Sequence, residues 1–593
     1  MKKLSYLWFC ILVLTWSSLL LSGCSSAKHV KKYDIEVKDD IRYFGNGYLE
    51  YKESIPFLHL EGGPYEVGLQ YGVLLKDGVR EVNDYKKELM AESQRWLPWY
   101  MKIFAKIFGG FYLSRKVGSL KKRVPQCYLD ELRGISDGSG VPLEDILSTA
   151  FLFEMGGGGC SSFILKDDQR IVHARNFDLD IEFLAKHPVI IDYNVKDKLR
   201  YISVNCVGVP FILTGINEEG LSYSVNLVEA SEPYDGKDFN LFLELNRIIE
   251  SCKNLDEVDS VLKDIRLRSG WTLTIGSKMD NSGAVYDVLG DSFVRNDIKE
   301  RDIYAANMFI STGMMRKHQS IHATDYWNTA RIDKYKELSQ KEKEHDIVER
   351  AIDVLSNTDF YHYNDRIPQM DATINNSMTL QSAVLDIDSN AIYFSYHPYY
   401  AGWSRWIKYD YETNDVTLYK EADQRLNHPD VINLVELFEK SQMLNWKKKS
   451  EMKEFATEIE KSGIENLLTL RLLYSLCNQT GDTAKAKEIA DKIILKYPDV
   501  GVGYSYEGYL LKQKKNYHDA INYYQKALDA QINTDYEKAR LYSELAFLYD
   551  LIGKRIESKA YATKAIDLYE SYWVSDWLRK QINKLEDLLE SQT

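Results

Sequence analysis

Two short apolar runs separated by a polar turn lie just after residue 160. Residues 161–165 and 171–175 are largely apolar with β-branched side chains, whereas residues 166–170 are polar. This pattern predicts a β-hairpin. Antiparallel pairing about a turn centred near Asp168 places Cys160 opposite Arg175 or Asn176, with Asp178 just beyond.

Four successive glycines, at positions 156–159, precede Cys160. Glycines are costly in a strand or a helix, because each loses the most backbone freedom on folding. They are tolerated where the chain bends sharply or where another group must come close to the backbone. A lone cysteine in a strand is usually a small buried hydrophobe. The glycine run, and the cation at Arg175 that favours a reactive thiolate, make Cys160 a candidate nucleophile instead.

The pattern up to residue 422 combines helical and strand-like stretches. Residues 58–155 predict mainly helix. Short apolar runs predict strands at 188–193, 199–207, 211–214 and 221–227, with a hairpin turn at 215–221. A short strand ending at Asn307, a helix carrying Arg331 and late hairpins at 375–397 and 406–419 complete this part of the chain.

Beyond residue 427 the pattern is helical only. Ala486 and Ala520 begin similar segments 34 residues apart, and a third copy starts at Ser558. This spacing resembles that of tetratricopeptide repeats, which are pairs of helices. We therefore predict a helical domain at 430–593, with about three such repeats at about 464–570. The stack either binds a protein partner or is a passive extension of the preceding domain, and the sequence favours neither.

The N-terminus has the pattern of an export signal. Lysines 2 and 3 precede an apolar stretch at 4–21, and small residues lead to Cys24. The pattern is typical of bacterial lipoproteins, although the apolar stretch alone also fits a short transmembrane anchor. We predict a signal peptide at 1–23, lipidation of Cys24 and a polar tether at 24–45. The protein would then be lipid-anchored to a membrane of the cell envelope, outside the cytoplasm.

Composition narrows the classes of partner. The 593 residues predict two or more domains. The net charge of −13 argues against binding of nucleic acid. The seven cysteines are widely spaced, without a CxxC pair, which argues against a disulfide framework or a zinc site. His318 and His322 lie four residues apart, but no third ligand is apparent. We predict no metal and no cofactor.

The motif around Cys160 carries a family resemblance. Gly-Cys-Ser-Ser at 159–162, followed by His-Ala-Arg-Asn-Phe-Asp at 173–178, resembles the self-processing junction of the acyl-coenzyme A:6-aminopenicillanic acid acyltransferase family. Choloylglycine hydrolases and acid ceramidase are similar to it more distantly. These are N-terminal-nucleophile (Ntn) hydrolases. The resemblance covers about residues 55–420, and its junction motif is more specific than its later motifs.

This resemblance implies a fold and a maturation step. The implied fold class is α+β, an Ntn αββα sandwich with a helical pro-segment at 46–159 and a core at 160–422. Self-cleavage between Gly159 and Cys160 would make the pro-segment a smaller, docked subunit. The α-amino group freed on Cys160 has a pKa of about 8, near enough to neutrality to accept the thiol proton. One residue would then supply both nucleophile and base.

The resemblance also implies roles for other residues. Arg175 would position the thiolate and the substrate, and Asp178 would hold the new α-amine. Asn226 and Asn307 would hold the oxyanion, although this chain has Ala306 where the family usually has Thr.

Arg331 follows Asn307 in the chain at the position of a family arginine. The resemblance makes it a structural or substrate-orienting cation. On its own, an arginine in a helix is equally well explained as an exposed surface charge.

The predicted function is cleavage of a linear amide (N-acyl) bond in a small-molecule substrate through a thioester on Cys160. An acyltransferase is the first alternative, because it differs only in whether water or an amine captures the thioester. A non-catalytic scaffold lipoprotein that uses its repeats is the second alternative. The presence of Cys160, Arg175 and Asp178 together argues against that scaffold.

Overall fold

The structure is a computed structural model, and it describes most of the chain after the N-terminal segment. The described residues are 33–93, 121, 123–153, 159–168, 170–179, 184, 186–230, 234, 240, 242–318, 326–340, 345–359, 373–376, 378–396, 400–530, 535–570 and 576–590. The predicted signal peptide and Cys24 lie outside these residues, as does His322. Within the described ranges, no helix is long and apolar enough to cross a membrane.

The larger of two β-sheets has eleven strands. They are β1 (Glu36–Lys38), β2 (Ile41–Phe44), β3 (Gly47–Lys52), β4 (Ile55–Gly62), β7 (Pro188–Val195), β8 (Tyr201–Cys206), β9 (Thr214–Asn217), β10 (Leu221–Val228), β11 (Leu267–Ser277), β12 (Ser282–Gly290) and β13 (Ser292–Asp297), in that order across the sheet. Neighbouring strands are antiparallel except β4 and β7, which are parallel. The four strands before residue 159 therefore join the later strands in one sheet.

The smaller sheet has seven antiparallel strands and carries Cys160 at its start. Its strands are β5 (Ser161–Lys166), β6 (Ile171–Asp178), β14 (Asp302–Ala305), β15 (Thr379–Asp386), β16 (Ala391–Tyr396), β17 (Trp406–Asp410) and β18 (Asp415–Lys420). The order across the sheet is β14-β5-β6-β15-β16-β17-β18. The predicted hairpin β5–β6 thus lies inside the sheet, between β14 and β15, where neighbours hold it on both sides.

Helices cover the outer face of each sheet. They are α1 (Pro64–Leu74), α2 (Lys76–Ser93), α3 (Gln126–Ser139), α4 (Leu143–Phe153), α5 (Asn246–Ser251) and α6 (Leu255–Leu262) for the larger sheet, α8 (Tyr326–Gln340) and α9 (Ile347–Leu355) for the smaller one, and the short α7 (Thr312–His318) between them in the chain. Apolar side chains such as Phe57, Ile164 and Leu385 fill the space between the sheets. The αββα sandwich, and with it the α+β class, is confirmed.

Glycines in α1 and α3 let the two helices touch through their backbones. A Cβ atom at Gly68 would lie 1.9 Å from the carbonyl oxygen of Glu131, and one at Gly134 would lie 2.3 Å from that of Tyr65. No side chain fits at such distances. The glycine spacing in the segment before Cys160 is thus explained by close helix packing, which holds the segment before the junction on the sheet.

After β18, the regular elements in the described residues are all helices, beginning with a short 3₁₀ turn. The α-helices of this C-terminal part are α10 (Pro429–Met443), α11 (Lys449–Ser462), α12 (Leu467–Thr480), α13 (Thr483–Lys496), α14 (Gly501–Gln513), α15 (Tyr517–Asp529), α16 (Asp535–Leu551), α17 (Arg555–Glu570) and α18 (Asp576–Glu590). The segments α12–α13, α14–α15 and α16–α17 form three helix pairs at the predicted spacing. Kinship of these pairs with tetratricopeptide repeats stays a prediction.

One apolar cluster joins this helical domain to the sandwich. On the sandwich side it contains the buried side chains of Ala330, Met378, Tyr400 and Trp403. On the helical side it runs from Val431 through α10 to α14. We call this set the shared cluster. The helical domain is therefore packed against the sandwich through an apolar interface.

Three predictions about local structure were wrong. Part of the predicted tether, residues 36–44, forms β1 and β2 of the larger sheet. The strand predicted at 211–214 begins only at Thr214 and runs to Asn217, so the turn before Leu221 is three residues long. Sequence pattern missed both because these strands are short and contain polar residues or glycine. The register of the β5–β6 hairpin also differs, as described below.

Candidate active site

The β5–β6 hairpin sets the geometry around Cys160. Ser162 pairs with Arg175 and Ser161 with Asn176, so the pairing continues to Cys160 opposite Phe177. The predicted partner, Arg175 or Asn176, was off by one or two positions. Side chains alternate along a strand, so Cys160 and Ser162 share a face, and Arg175 lies on that face too. Its Nη2 is 3.6 Å from Cys160 Sγ, which confirms the predicted contact between thiol and guanidinium.

Arg175 is buried and rigidly held. Its Nη1 donates to Thr214 Oγ1 at 2.7 Å, and its Nη2 donates to the carbonyl oxygen of Val225 at 2.7 Å. Both partners belong to the larger sheet, so the guanidinium bridges the two sheets. A cation fixed in this way reaches the thiol without having to be ordered during the reaction.

In the uncut chain, burial dominates the state of the thiol. Cys160 is 5% exposed, and its pKa is raised by burial, which outweighs the opposing effect of Arg175. Its Sγ lies 3.6 Å from the carbonyl oxygen of Asp178, which it can approach as a weak donor. Proximity of a cation alone therefore does not make this group a thiolate. A base is required for it to react near neutral pH.

Asp178 is a buried carboxylate beside the junction. Its Oδ2 accepts a hydrogen bond of 2.8 Å from Asn376 Nδ2, whereas Oδ1 is buried without a partner in the described part of the structure. Burial raises its pKa to about 6, although Arg331, Thr379, Asn376 and Arg175 all act to lower it. A side-chain carbon placed at Gly159 would lie 3.4 Å from Oδ2. The carboxylate that carries the unpartnered Oδ1 thus lies next to the bond that self-cleavage would break.

Arg331 comes from helix α8 and holds the junction itself. It is 1% exposed, so the alternative of a surface cation is wrong. Its Nη1 donates to the carbonyl oxygen of Gly159, to that of Cys160 at 2.7 Å and to Ser161 Oγ at 3.1 Å. The first of these oxygens would carry negative charge if the Gly159–Cys160 peptide bond were attacked. A donor already on that atom can stabilise the oxyanion.

The two predicted oxyanion asparagines lie close by but bind other groups. Asn226 Nδ2 donates to Ser162 Oγ at 2.8 Å and to the carbonyl oxygen of Ala305 at 3.3 Å. Asn307 Nδ2 donates to the carbonyl oxygen of Leu227 at 2.9 Å. In the uncut chain neither amide nitrogen is bonded to the Gly159 carbonyl oxygen. Their role towards a bound substrate stays a prediction.

Sequence reasoning missed two further asparagines. Asn328 Oδ1 accepts from Arg331 Nη2 at 2.7 Å and from the backbone of Asn307 at 3.2 Å. Asn376 orients Asp178 through the bond described above. Asn328 precedes Arg331 by three residues on a helix, a spacing that places both on one face and so was a usable signal. Asn376 had no such signal, because its partner lies 198 residues away.

The arrangement is suited to attack on the chain's own backbone. Cys160 Sγ belongs to the residue that follows the Gly159 carbonyl, so the attack closes a five-membered ring. Arg331 is bonded to the carbonyl oxygen, and Arg175 is beside the thiol. In the described residues no group of His, Cys, Asp and Glu side chains is arranged to hold a metal ion.

Comparison with known proteins gives matches to part of the chain. Residues 164–395 match the family described as acyl-coenzyme A:6-aminopenicillanic acid acyl-transferase. An uncharacterised protein of Archaeoglobus fulgidus is 23% identical over 313 residues, 46% of this chain and 49% of that protein. Mouse acid ceramidase is 23% identical over 198 residues, 29% of this chain and 50% of the ceramidase. The chain thus spans about half the length of these relatives.

Two solved structures are also similar. The Caenorhabditis elegans orthologue of N-acylethanolamine-hydrolyzing acid amidase is 18% identical, with a TM-score of 0.30, covering 44% of this chain and 100% of that one. A mutant conjugated bile acid hydrolase of Clostridium perfringens is 12% identical, with a TM-score of 0.28, covering 44% and 96%. Over residues 164–395 the chain is therefore similar to the acyl-coenzyme A:6-aminopenicillanic acid acyltransferase family, the family that the motif around Cys160 resembles.

Proposed function

We propose that this protein is a self-processing cysteine amidase, which cuts itself before Cys160 and then hydrolyses a linear N-acyl amide through a thioester on that residue. The observation that carries the proposal is the set of contacts at the junction. A buried guanidinium is bonded to the Gly159 carbonyl oxygen, and a second one is beside the thiol. The family match over residues 164–395 supports amide chemistry in general.

Self-cleavage would begin with attack of Cys160 Sγ on the Gly159 carbonyl carbon. The thiol proton passes to a base, and negative charge develops on the oxygen held by Arg331. Collapse breaks the peptide C–N bond, and the Cys160 nitrogen takes up a proton. The resulting thioester is hydrolysed by water, which leaves a carboxylic acid on Gly159 and restores the thiol. The net reaction is the addition of one water molecule to one peptide bond.

Turnover would use the amine that cutting creates. The free α-amino group of Cys160 accepts the thiol proton, and the thiolate attacks the acyl carbon of the substrate amide. The departing amine of the substrate takes the proton. Water then hydrolyses the thioester and releases the acid. The unpartnered Oδ1 of Asp178 is an acceptor for the new α-ammonium group, which fits the predicted role of this residue.

The acyl acceptor distinguishes hydrolysis from transfer. An amine in place of water would make the same thioester an acyltransferase intermediate, and the family is named for such an activity. Assay of the purified protein against a panel of N-acyl amides, with and without an added amine, separates the two. A product in which the acyl group has moved to the added amine would favour transfer.

The proposal is tested by replacing Cys160. We expect Cys160→Ala to remain one uncut chain and to be inactive. We expect Cys160→Ser to cut slowly but to hydrolyse amides poorly, because a hydroxyl is the weaker nucleophile near neutral pH. Intact-mass spectrometry and release of 7-amino-4-methylcoumarin from its N-acyl amides measure both steps on one sample. An active or cut Cys160→Ala protein would overturn the proposal, and an uncut, inactive wild type would favour the scaffold alternative.

For location, we propose a lipid anchor on Cys24 at a membrane of the cell envelope. The support is the N-terminal sequence pattern alone: a charged start, an apolar stretch and small residues before the cysteine. Cys24→Ser should lose the lipid and leave the membrane fraction. A Cys24→Ser protein that partitions into detergent like the wild type would contradict the anchor.

A further inference from the structure

Helix α8 has two faces with different partners. Asn328 and Arg331 face the junction, where Arg331 is bonded to the Gly159 and Cys160 carbonyls. Each of these two residues has a neighbour one residue earlier that faces the shared cluster: Ala330 is part of it, and the partly buried Trp327 packs against it. Residues three apart on a helix lie on one face, so these are two adjacent stripes of the same helix. The position of Arg331 is thus tied to the packing of the shared cluster.

A second connection passes through Met378. Its side chain is part of the shared cluster, and its Cε would lie 3.2 Å from a side-chain carbon placed at Gly159. Its backbone nitrogen donates to Asn376 Oδ1 at 2.8 Å, and Asn376 Nδ2 is bonded to Asp178. Its carbonyl oxygen accepts from the backbone of Leu179 at 2.9 Å. Met378 is therefore part of the shared cluster, lies next to Gly159 and is bonded to Asn376, the residue that holds Asp178.

The irregular pairing of β15 with β6 lies at the same place. Thr379 pairs with Asp178 and Gln381 with Phe177, so one extra residue is inserted in β15 next to the carboxylate. A bulge of this kind bends its strand and re-aims neighbouring side chains. Met378, the residue before Thr379, belongs to the shared cluster, so the helical domain packs beside this bulge.

We infer that the C-terminal helical domain is part of the active unit, because its packing against the sandwich positions both Arg331 and Asp178. Helix α10 acts as a positioning element, and α8 together with Asn376, Met378 and Thr379 carries its effect to the junction. The domain is then neither a separable module nor only a docking platform. This inference rests on the proposed function, since it concerns the groups that self-cleavage and turnover use.

The test compares two matched cavities in the full-length protein. Leu434 lies in α10 and belongs to the shared cluster, whereas Leu545 lies in α16 in a separate cluster of the same domain, and both are fully buried. We expect Leu434→Ala to slow self-cleavage and to lower kcat for an N-acyl aminomethylcoumarin by about 10- to 100-fold with little change in KM, because small misplacements of reacting groups have effects of this size. We expect Leu545→Ala to change both rates less than about twofold.

Further variants make the result decisive. Leu434→Met nearly keeps the side-chain volume, so both self-cleavage and turnover should stay close to the wild-type rates. If an alanine variant does not fold, Leu434→Val and Leu545→Val repeat the comparison with a smaller cavity. Equal rates for the two positions would overturn the inference. Cys160→Ala, run in parallel, separates the two ideas: if it is uncut and inactive while Leu434 and Leu545 variants behave alike, only the inference about the helical domain fails.

Discussion

Two buried arginines contact the residues of the Gly159–Cys160 bond, and they are held in different ways. Arg175 extends from a strand of the smaller sheet, is fixed by the larger sheet and reaches the thiol. Arg331 extends from a helix, is fixed by Asn328 and Asn307 and reaches the carbonyl oxygens. Arg175 contacts the sulfur that would attack, whereas Arg331 is bonded to the Gly159 oxygen that would become negatively charged.

In the proposed mechanism, this difference separates self-cleavage from turnover. Cutting would turn the Gly159 carbonyl into a free carboxylate, so the contact of Arg331 with this peptide carbonyl exists only before cutting. The contact of Arg175 with the thiol concerns an atom that remains in both states. We therefore expect changes at Arg331 to affect self-cleavage most, and changes at Arg175 to affect both steps.

The largest effect is expected at Arg331. Arg331→Gln should slow self-cleavage by about 100- to 1,000-fold, the usual effect of losing an oxyanion donor. The self-cleavage rate of Arg331→Lys should lie between those of the wild type and Arg331→Gln, because lysine keeps the charge but loses the forked set of donors. Time courses of chain cutting after in vitro translation, measured by intact mass, give the rates. Cutting of Arg331→Gln at the wild-type rate would show that this contact is structural only.

Arg175 should have a smaller effect on each step. Arg175→Gln removes the cation from the thiol, so we expect turnover of the cut enzyme to fall by about 10- to 100-fold, a loss typical of a charged hydrogen bond. The pH at which iodoacetamide alkylates Cys160 should shift upwards, since the cation lowers the thiol pKa. Arg175→Lys serves as the control that keeps the charge. An unchanged alkylation profile in Arg175→Gln would separate Arg175 from the thiol chemistry.

Asp178 tests the electrostatics of the uncut state. Its pKa is about 6 in the folded chain, above the value of 3.8 for an unperturbed carboxyl. A raised carboxyl pKa disfavours the folded state as pH rises through 6, because the buried group must then be charged. In an uncut Cys160→Ala background, Asp178→Asn should therefore stabilise the fold by about 1.5 kcal/mol more at pH 8 than at pH 5.

Urea unfolding at the two pH values measures this difference. Taking the difference between two variants at each pH cancels the other titrating groups, including Glu131 and Asp287, whose pKa values are also raised by burial. If Asp178→Asn stabilised the fold equally at both pH values, ionisation of Asp178 would not destabilise the uncut folded chain.

The smallest effect is expected from removing the hydroxyl of Thr214, which holds Arg175. Thr214→Val removes the hydroxyl that accepts from Arg175 Nη1 and nearly conserves the shape of the side chain. A loss of about 0.5–1.5 kcal/mol, or roughly 2- to 12-fold in kcat, is expected for one hydrogen bond. Self-cleavage should change less than turnover. A larger effect on self-cleavage than on turnover would contradict the idea that Arg331 acts mainly in self-cleavage and Arg175 in both steps.

Local chemistry was predictable from sequence, and long-range placement was not. The alternation around Cys160 predicted the hairpin and the contact between thiol and Arg175. The register was off because the polar residues 166–170 do not show where pairing ends. The burial of Arg331 arises from contacts across 171 and 172 residues, which no local pattern encodes. Likewise, the strand Glu36–Lys38 is short and polar, and only its partner Ile41–Phe44 defines it.

The parallel pairing of β4 with β7 has a consequence for the proposed two-chain form of the protein. Six residue pairs, from Phe57 with Ile190 to Gly62 with Val195, join the segment before the cut to the segment after it. The proposed cut between Gly159 and Cys160 would remove a covalent link but would leave this hydrogen-bonded ladder and the helices packed over it. The two products should behave as complementing fragments that dissociate only on unfolding. Two separately expressed chains, one ending at Gly159 and one beginning at Cys160, could then assemble with a free Cys160 amine. Turnover could thus be measured even for variants that are unable to cut themselves.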